Sequence, residues 1–227
     1  MARTVNVTVR SVKREAFIDA AQRLITQKGY ERTSVQDVLD DLEVSRGAFY
    51  HYFESKEQLL EAVIDRMVDD GLASVTRVID DTELSALRKF EGVFSSLQSF
   101  KAARKDLVLA ILQVWISDEN AIVREKYRRT AVVRLAPMLS KVIEEGNQKG
   151  EFHAAFTEHT ATALVGLITS FGEVATDLFL ARQAKRVSFE EVERAVAANT
   201  DACERILGIP TGSLKLIDGP TLHFWFD

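Results

Sequence analysis

The chain has 227 residues, 46% of them hydrophobic and 28% charged, with 29 Lys and Arg against 34 Asp and Glu. This balance excludes a disordered chain and a polycation, and the single cysteine, Cys203, excludes an intrachain disulfide scaffold and fits a reducing compartment. The opening MARTVNVTVR lacks the apolar core of a signal peptide. The longest apolar run, 161–171, contains Thr162, Gly166, Thr169 and Ser170 and is shorter than the roughly 18 residues of a membrane span. The expectation is a soluble, cytoplasmic protein without a membrane role.

Three prolines and eleven thinly spread glycines, among long stretches of Ala, Leu, Glu, Arg and Val, predict an all-α fold. Only Val5, Val7 and Val9 alternate with period two. With no partner strand they belong to a basic flexible arm, residues 1–12, carrying Arg3 and Arg10. Phe17, Ala20, Ala21, Leu24 and Ile25 then form one face of a first helix, which Gly29 stops. Thr33 with Gln36 reads as a capping box opening a second helix, with Val35, Val38, Leu39 and Leu42 inward. Ser45 caps a third, from Arg46 to about Phe53. Ser55 and Gln58 open a long fourth, with Leu59, Leu60, Val63, Ile64, Met67 and Val68 inward.

Helices joined by so short a link between the second and third describe a helix-turn-helix unit. The third helix is too short to be stable alone. Phe49 and Phe53 hold it to a core, leaving Arg46, Gly47, Ala48, Tyr50 and His51 for another surface. Arg46 and Lys56 each follow a cap, where the helix dipole favours an acid. Either they await an anion or they are exposed charges, with Glu57 offsetting Lys56. Residues 1–32 carry seven bases against three acids, and residues 33–60 two against six. Asp37, Asp40, Asp41 and Glu43 would therefore have to face away from a polyanion, and any non-specific DNA affinity is expected to be modest and salt-sensitive.

The stretch from about Lys13 to Arg66, and above all TSVQDVLDDLEVSRGAFYHYFESKEQLLEAV, resembles the N-terminal domain of the tetracycline-repressor (TetR) family of transcriptional regulators. It departs from the family pattern at Glu43, where a glycine is usual in the turn. The resemblance implies that Arg46 reaches a base edge in the major groove and that Gly47 and Ala48 permit close approach. It implies phosphate contacts from Tyr50, His51, Lys56 and Thr33 or Ser34, with Ser45 at the head of the reading helix. Tyr52 is expected to pack on the first helix instead.

Beyond Gly71 the resemblance is one of architecture. Helices are expected at 82–101, 104–116, 119–146 (kinked by Pro137), 157–183 and 188–208, the last opened by a Ser188–Glu191 capping box. In helix 157–183, Ala161, Val165, Ile168, Gly172, Ala175 and Phe179 make a heptad seam, and Leu164, Leu167, Phe171, Val174 and Leu178 a second. One seam can face its own core; the other, with Val196 and Cys203 of the next helix, is expected to form a four-helix homodimer interface, as the family implies. A larger monomeric core is the alternative. The resemblance also implies a small-molecule effector, with Phe90, Phe94, Trp115, Tyr127 and Phe171 as candidate pocket residues or ordinary core. No metal-ligand cluster, cofactor motif or nucleophile motif appears, so no cofactor is expected.

The domain expectation is an arm at 1–12, a DNA-binding helix-turn-helix domain at 13–54, a helical effector and dimerisation domain at 55–208, and a tail at 209–227 whose position the sequence leaves open. The functional expectation is a homodimeric repressor that binds operator DNA and is released by a small molecule. A dimeric helical binding protein or adaptor without a DNA role is the alternative.

Overall fold

Capping serines, glycine stops and apolar stripes at helical spacing set out ten α-helices, and no strand occurs among the described residues. The computed structural model describes residues 2–117 and 120–227. In chain order the helices are α1 (Ala2–Lys28), α2 (Val35–Leu42), α3 (Arg46–Tyr50), α4 (Lys56–Ile79), α5 (Ala86–Ala102), α6 (Lys105–Trp115), α7 (Ala121–Gln148), α8 (Thr157–Gln183), α9 (Phe189–Leu207) and α10 (Gly219–Phe226). The expected arm is instead helical from Ala2, because extending an established helix costs far less than starting one. The side chains of Arg3 and Arg10 lie outside the described residues. Helix α7 runs on past Pro137.

The chain forms two compact units, and none of the three boundaries between them falls at 54/55. The smaller takes the chain through Asp69 together with Ala103–Tyr127, so α6 and the start of α7 join the helix-turn-helix elements. Phe17, Ile18, Ile25, Val38, Leu39, Phe49, Phe53, Leu60, Val63, Leu107 and Ile111 form its continuous core. Trp115 and Tyr127 pack against that core, edge to face at 5.0 Å.

The larger unit comprises Asp70–Ala102 and Arg128–Asp227. Phe90, Phe152, Leu139, Ile143, Leu164, Val165, Cys203 and Leu207 are fully buried in it. A Cβ on Gly146 would fall inside the Phe152 ring, so α7 needs a glycine there for Phe152 to enter the core. Gly208 ends α9 at φ 69, its Cα against the backbone of His153, which donates its N–H to Leu207 O at 2.8 Å. Burial pushes the Cys203 thiol up to about 12, with Glu204 adding to it, so this cysteine is an inert core residue.

Charge is also built into this unit. Lys89, almost wholly buried, donates to Glu145 at 2.6 Å. The Glu151 carboxylate accepts from the free N–H groups of Ala86 and Leu87 and so caps α5. Burial alone would raise its pKa, but those two backbone donors, Ser85 and Lys149 together hold it below the ordinary value.

The tail is structured. Glu204, 1% exposed, accepts from Gly212 N and Leu214 N at 3.0 and 2.8 Å. Glu91 of α5 accepts from Lys215 N at 2.8 Å. The chain then forms α10, which Asp218 caps by accepting from Thr221 N, with Pro220 in its first turn.

Helix α8 passes the length and composition test for a membrane span, with a mean hydropathy of 1.5 over 18 residues, contrary to the expectation from its longest uninterrupted run. The seam assigned to a partner is divided along the helix. Ala161, Val165, Val196 and Cys203 are buried within their own chain, whereas Ile168, Gly172, Ala175 and Phe179 are at least partly open. Val174 and Phe156 are exposed outright.

Candidate nucleic-acid interface

The site begins with two helix ends. Ser34, not Thr33, caps α2: its hydroxyl accepts from Asp37 N at 3.1 Å and donates to the Asp37 carboxylate, which also accepts from Ser34 N at 2.7 Å. Gln36 bonds Asp40 rather than the cap. Thr33 is buried and donates its hydroxyl to Gly29 O at 2.8 Å, so it ties the α1–α2 corner and has no surface for a phosphate.

Helix α2 ends in the left-handed backbone that the sequence departure flagged. Glu43 sits at φ 52, ψ 43, a conformation that costs a side-chain-bearing residue about 1–2 kcal/mol. Its N–H reaches Asp40 O, and Val44 N reaches Leu39 O at 3.0 Å, which satisfies the last carbonyls of α2 and turns the chain into α3.

Helix α3 survives at five residues because its apolar side is locked. Phe49 is fully buried among Phe17 at 5.7 Å, edge to face, and Phe53 at 5.7 Å. Tyr52, half-buried, lies against Phe17 on α1, as expected. The expected helix to Phe53 ends early, His51 and Tyr52 forming a turn.

The opposite side stands open. Ser45, Arg46, Gly47, Tyr50 and His51 are exposed; Ala48 is half-buried and rests on the core. The Ser45 hydroxyl makes no capping bond. The Arg46 guanidinium lies 5.8 Å from the Tyr50 ring centre, which limits its search. A Cβ on Gly47 would meet nothing nearer than Ser45 Oγ at 4.0 Å. The protein's own packing therefore gives no reason for glycine there, in contrast to Gly146, and the space lies on the outward side.

Lys56 stands at the start of α4, half-buried, with its ammonium 3.9 Å from the centre of the Tyr30 ring. The cation is thus placed by an aromatic face rather than neutralised by an acid. Burial, with help from Glu57 and Glu31, raises the Tyr30 hydroxyl above its ordinary pKa, so the ring stays neutral beneath the lysine. Two of the three acids of α2 are tied back to α1: Lys28 meets Asp37 at 2.8 Å and Arg23 meets Asp41 at 2.5 Å. The hydrogen bond from Lys28, then those from Ser34, hold Asp37 below the ordinary carboxylate range. These pairs, unreadable from composition, answer the local acidity that the sequence shows. A short helix, anchored on one side and offering arginine, glycine, tyrosine and histidine on the other beside a cation at a helix N-terminus, is a helix-turn-helix reading head.

Comparison with known proteins agrees. Residues 17–63 match the family described as bacterial regulatory proteins, tetR family. An uncharacterised HTH-type transcriptional regulator from the lacX 3′ region of Lactococcus lactis is 44% identical over 92 residues, covering 40% of this chain and 47% of that protein. The repressor DhaR of a Mycobacterium species is 24% identical over 141 residues, covering 62% and 70%. A TetR regulator of known structure from Haloarcula marismortui shares the fold at a TM-score of 0.62 and 20% identity, covering 87% of this chain and 97% of that one. This chain spans about half of the Lactococcus protein's length. Residues 17–63 thus carry the tetR-family helix-turn-helix, and the proteins that the chain resembles through this segment are transcriptional regulators.

The expected effector residues are distributed over three clusters. Phe90 packs with Phe94 and Phe152 in the larger unit, Trp115 and Tyr127 sit on the core of the smaller one, and Phe171 joins a cluster with α9 and α10. Aromatic content alone could not separate a cavity lining from three cores.

Proposed function

We propose that this chain is a cytoplasmic repressor that binds operator DNA as a homodimer and releases it when a small molecule binds the larger helical unit. The observation that carries the reading is the open face of α3, where Arg46, Gly47, Tyr50 and His51 surround a single buried anchor, Phe49. In this reading Arg46 reads a base edge, Gly47 and Ala48 let the helix sit deep, and Ser34, Ser45, Tyr50, His51 and Lys56 hold phosphates. The smaller unit, which holds the helix-turn-helix, serves the DNA in this reading, and the larger unit serves effector and partner.

The homodimer is supported by α8, an apolar helix left largely uncovered by its own chain, with Leu167, Ile168, Val174 and Ala175 open to some degree. Two reading helices in successive major grooves must stand about 34–36 Å apart. An effector that favours another spacing lowers affinity by population shift, and a hundredfold loss needs only about 2.7 kcal/mol of coupling.

The test is a mobility-shift titration against fragments of DNA flanking the chain's own gene, at two salt concentrations. Arg46→Ala should lose about 1–3 kcal/mol, roughly 5- to 150-fold, on the bound sequence and little elsewhere. Lys56→Ala should weaken all sequences alike and reduce the salt slope by about one. Absence of binding to every fragment at low salt would leave a helical adaptor as the reading.

A further inference from the structure

The apolar faces of α8 and α9 are not equally open. Over one stretch, Phe171, Leu178 and Phe179 of α8 and the buried Val192 and Val196 of α9 pack against Leu222 and Phe226 of α10. Phe179 meets Phe226 with ring centres 6.3 Å apart. Helix α10 is fastened beyond this cluster. Arg182 of α8 reaches Asp227 at 3.2 Å, and His223, 2.6 Å from Asp227, stacks on Phe189 at 4.3 Å and 10°. The segment leading to it is held by Glu204 and Glu91, two carboxylates taken out of water for the purpose. Other apolar side chains have no such cover: Val174 of α8 is 44% exposed, and Phe156 at the head of the helix 83%.

We propose that α10 is an intramolecular stand-in for a partner helix. It closes one stretch of the α8–α9 apolar face within the chain and so confines self-association to the stretch left open. The occupant of the closed stretch is residues 219–226, and what it keeps out is a further copy of the same chain. The proposal draws on the homodimer reading only for what meets the open stretch. Its physical basis is that one set of side chains cannot be packed twice. With α10 away, Phe171, Leu178, Phe179 and Val196 would form a contiguous apolar patch of the kind that drives association. The site of self-association is then chosen by the chain's own last helix as well as by the face it leaves bare.

The experiment uses the full chain carrying Trp115→Phe, which leaves Trp225 of α10 as the sole tryptophan. Leu222→Asp with Phe226→Asp should red-shift the Trp225 emission. In sedimentation at tens of micromolar it should raise the mass by about twofold or more over the Trp115→Phe parent. Leu222→Met with Phe226→Leu should leave both readouts where they were. Arg182→Gln, which removes the ion pair to Asp227 and the guanidinium over the Phe189 ring while leaving Leu222 and Phe226 in place, should shift both in the same direction by less, and it decides the matter if the aspartates prevent folding. A red shift without a rise in mass would overturn the proposal, as would an unmoved Trp225. A parent that sediments as a monomer would refute the homodimer reading alone, since the cover is judged by the difference between variant and parent.

Discussion

Replacing Glu43 by glycine separates a backbone effect from a charge effect at the turn that aims the reading helix. Glu43 holds φ 52 with its side chain exposed, so no packing is lost when the side chain goes. Relief of the left-handed conformation is worth about 1–2 kcal/mol. The greater freedom of glycine in the unfolded chain takes back about 0.4–1 kcal/mol. The net expectation is a stabilisation of about 0.5–1 kcal/mol in the smaller unit, read as a higher urea midpoint at unchanged slope. Glu43→Gln keeps the strained backbone and removes only the charge, so it should not gain this increment. Both variants should bind DNA slightly tighter at low salt, because each removes a negative charge beside α3. Equal stability of the glycine and glutamine variants, or a loss with glycine, would refute the argument that this position is strained.

Thr33→Val should lower stability by about 1 kcal/mol, since it leaves Gly29 O without its buried donor, yet leave DNA affinity of the folded protein unchanged. A selective affinity loss would return Thr33 to the interface. Gly146→Ala should destabilise by about 1–3 kcal/mol through the clash with Phe152, although alanine favours a helix by about 1 kcal/mol over glycine; thermal melting decides the sign. The Asp37 carboxyl is held low in the folded chain, first by Lys28. Its contribution is therefore complete above the ordinary aspartate value near 4 and is lost as pH falls below it, so Asp37→Asn should flatten the acid limb of a stability–pH curve. An unchanged acid limb would contradict that assignment.

Much of this molecule is legible in its sequence. Helix α8 begins and ends at the expected residues, Ser188 and Glu191 form their capping box, and Phe49 anchors a helix whose other side is open, because each rests on local spacing. What the sequence hides is settled by distant partners. The hydroxyl of Thr33 turns inward to Gly29, which passes the cap of α2 to Ser34. Helix α10 falls in the tail whose position the sequence leaves open, although proline is at home in a first helical turn behind an aspartate cap. The α8 seam is buried near its start and open further on, because two apolar stripes on one helix do not say which stretch its own chain covers. Glu204 carries no local sign of burial, and only the backbone it receives explains it; Glu91 takes a backbone N–H as well as its helix neighbour Arg88.

The bond from Lys215 N to Glu91 joins residues 124 positions apart. A helical protein ordinarily folds through near-neighbour contacts and folds fast, but this clasp must wait until a very long stretch of chain has been brought round, at an entropic cost that grows with the logarithm of its length. The larger unit thus combines quickly formed rods with one slow, far-reaching fastening. Undoing the last segment would leave Glu204 in the interior without its two backbone donors and Glu91 with Arg88 alone, which ties the ordering of that segment to completion of the interior around α5 and α9.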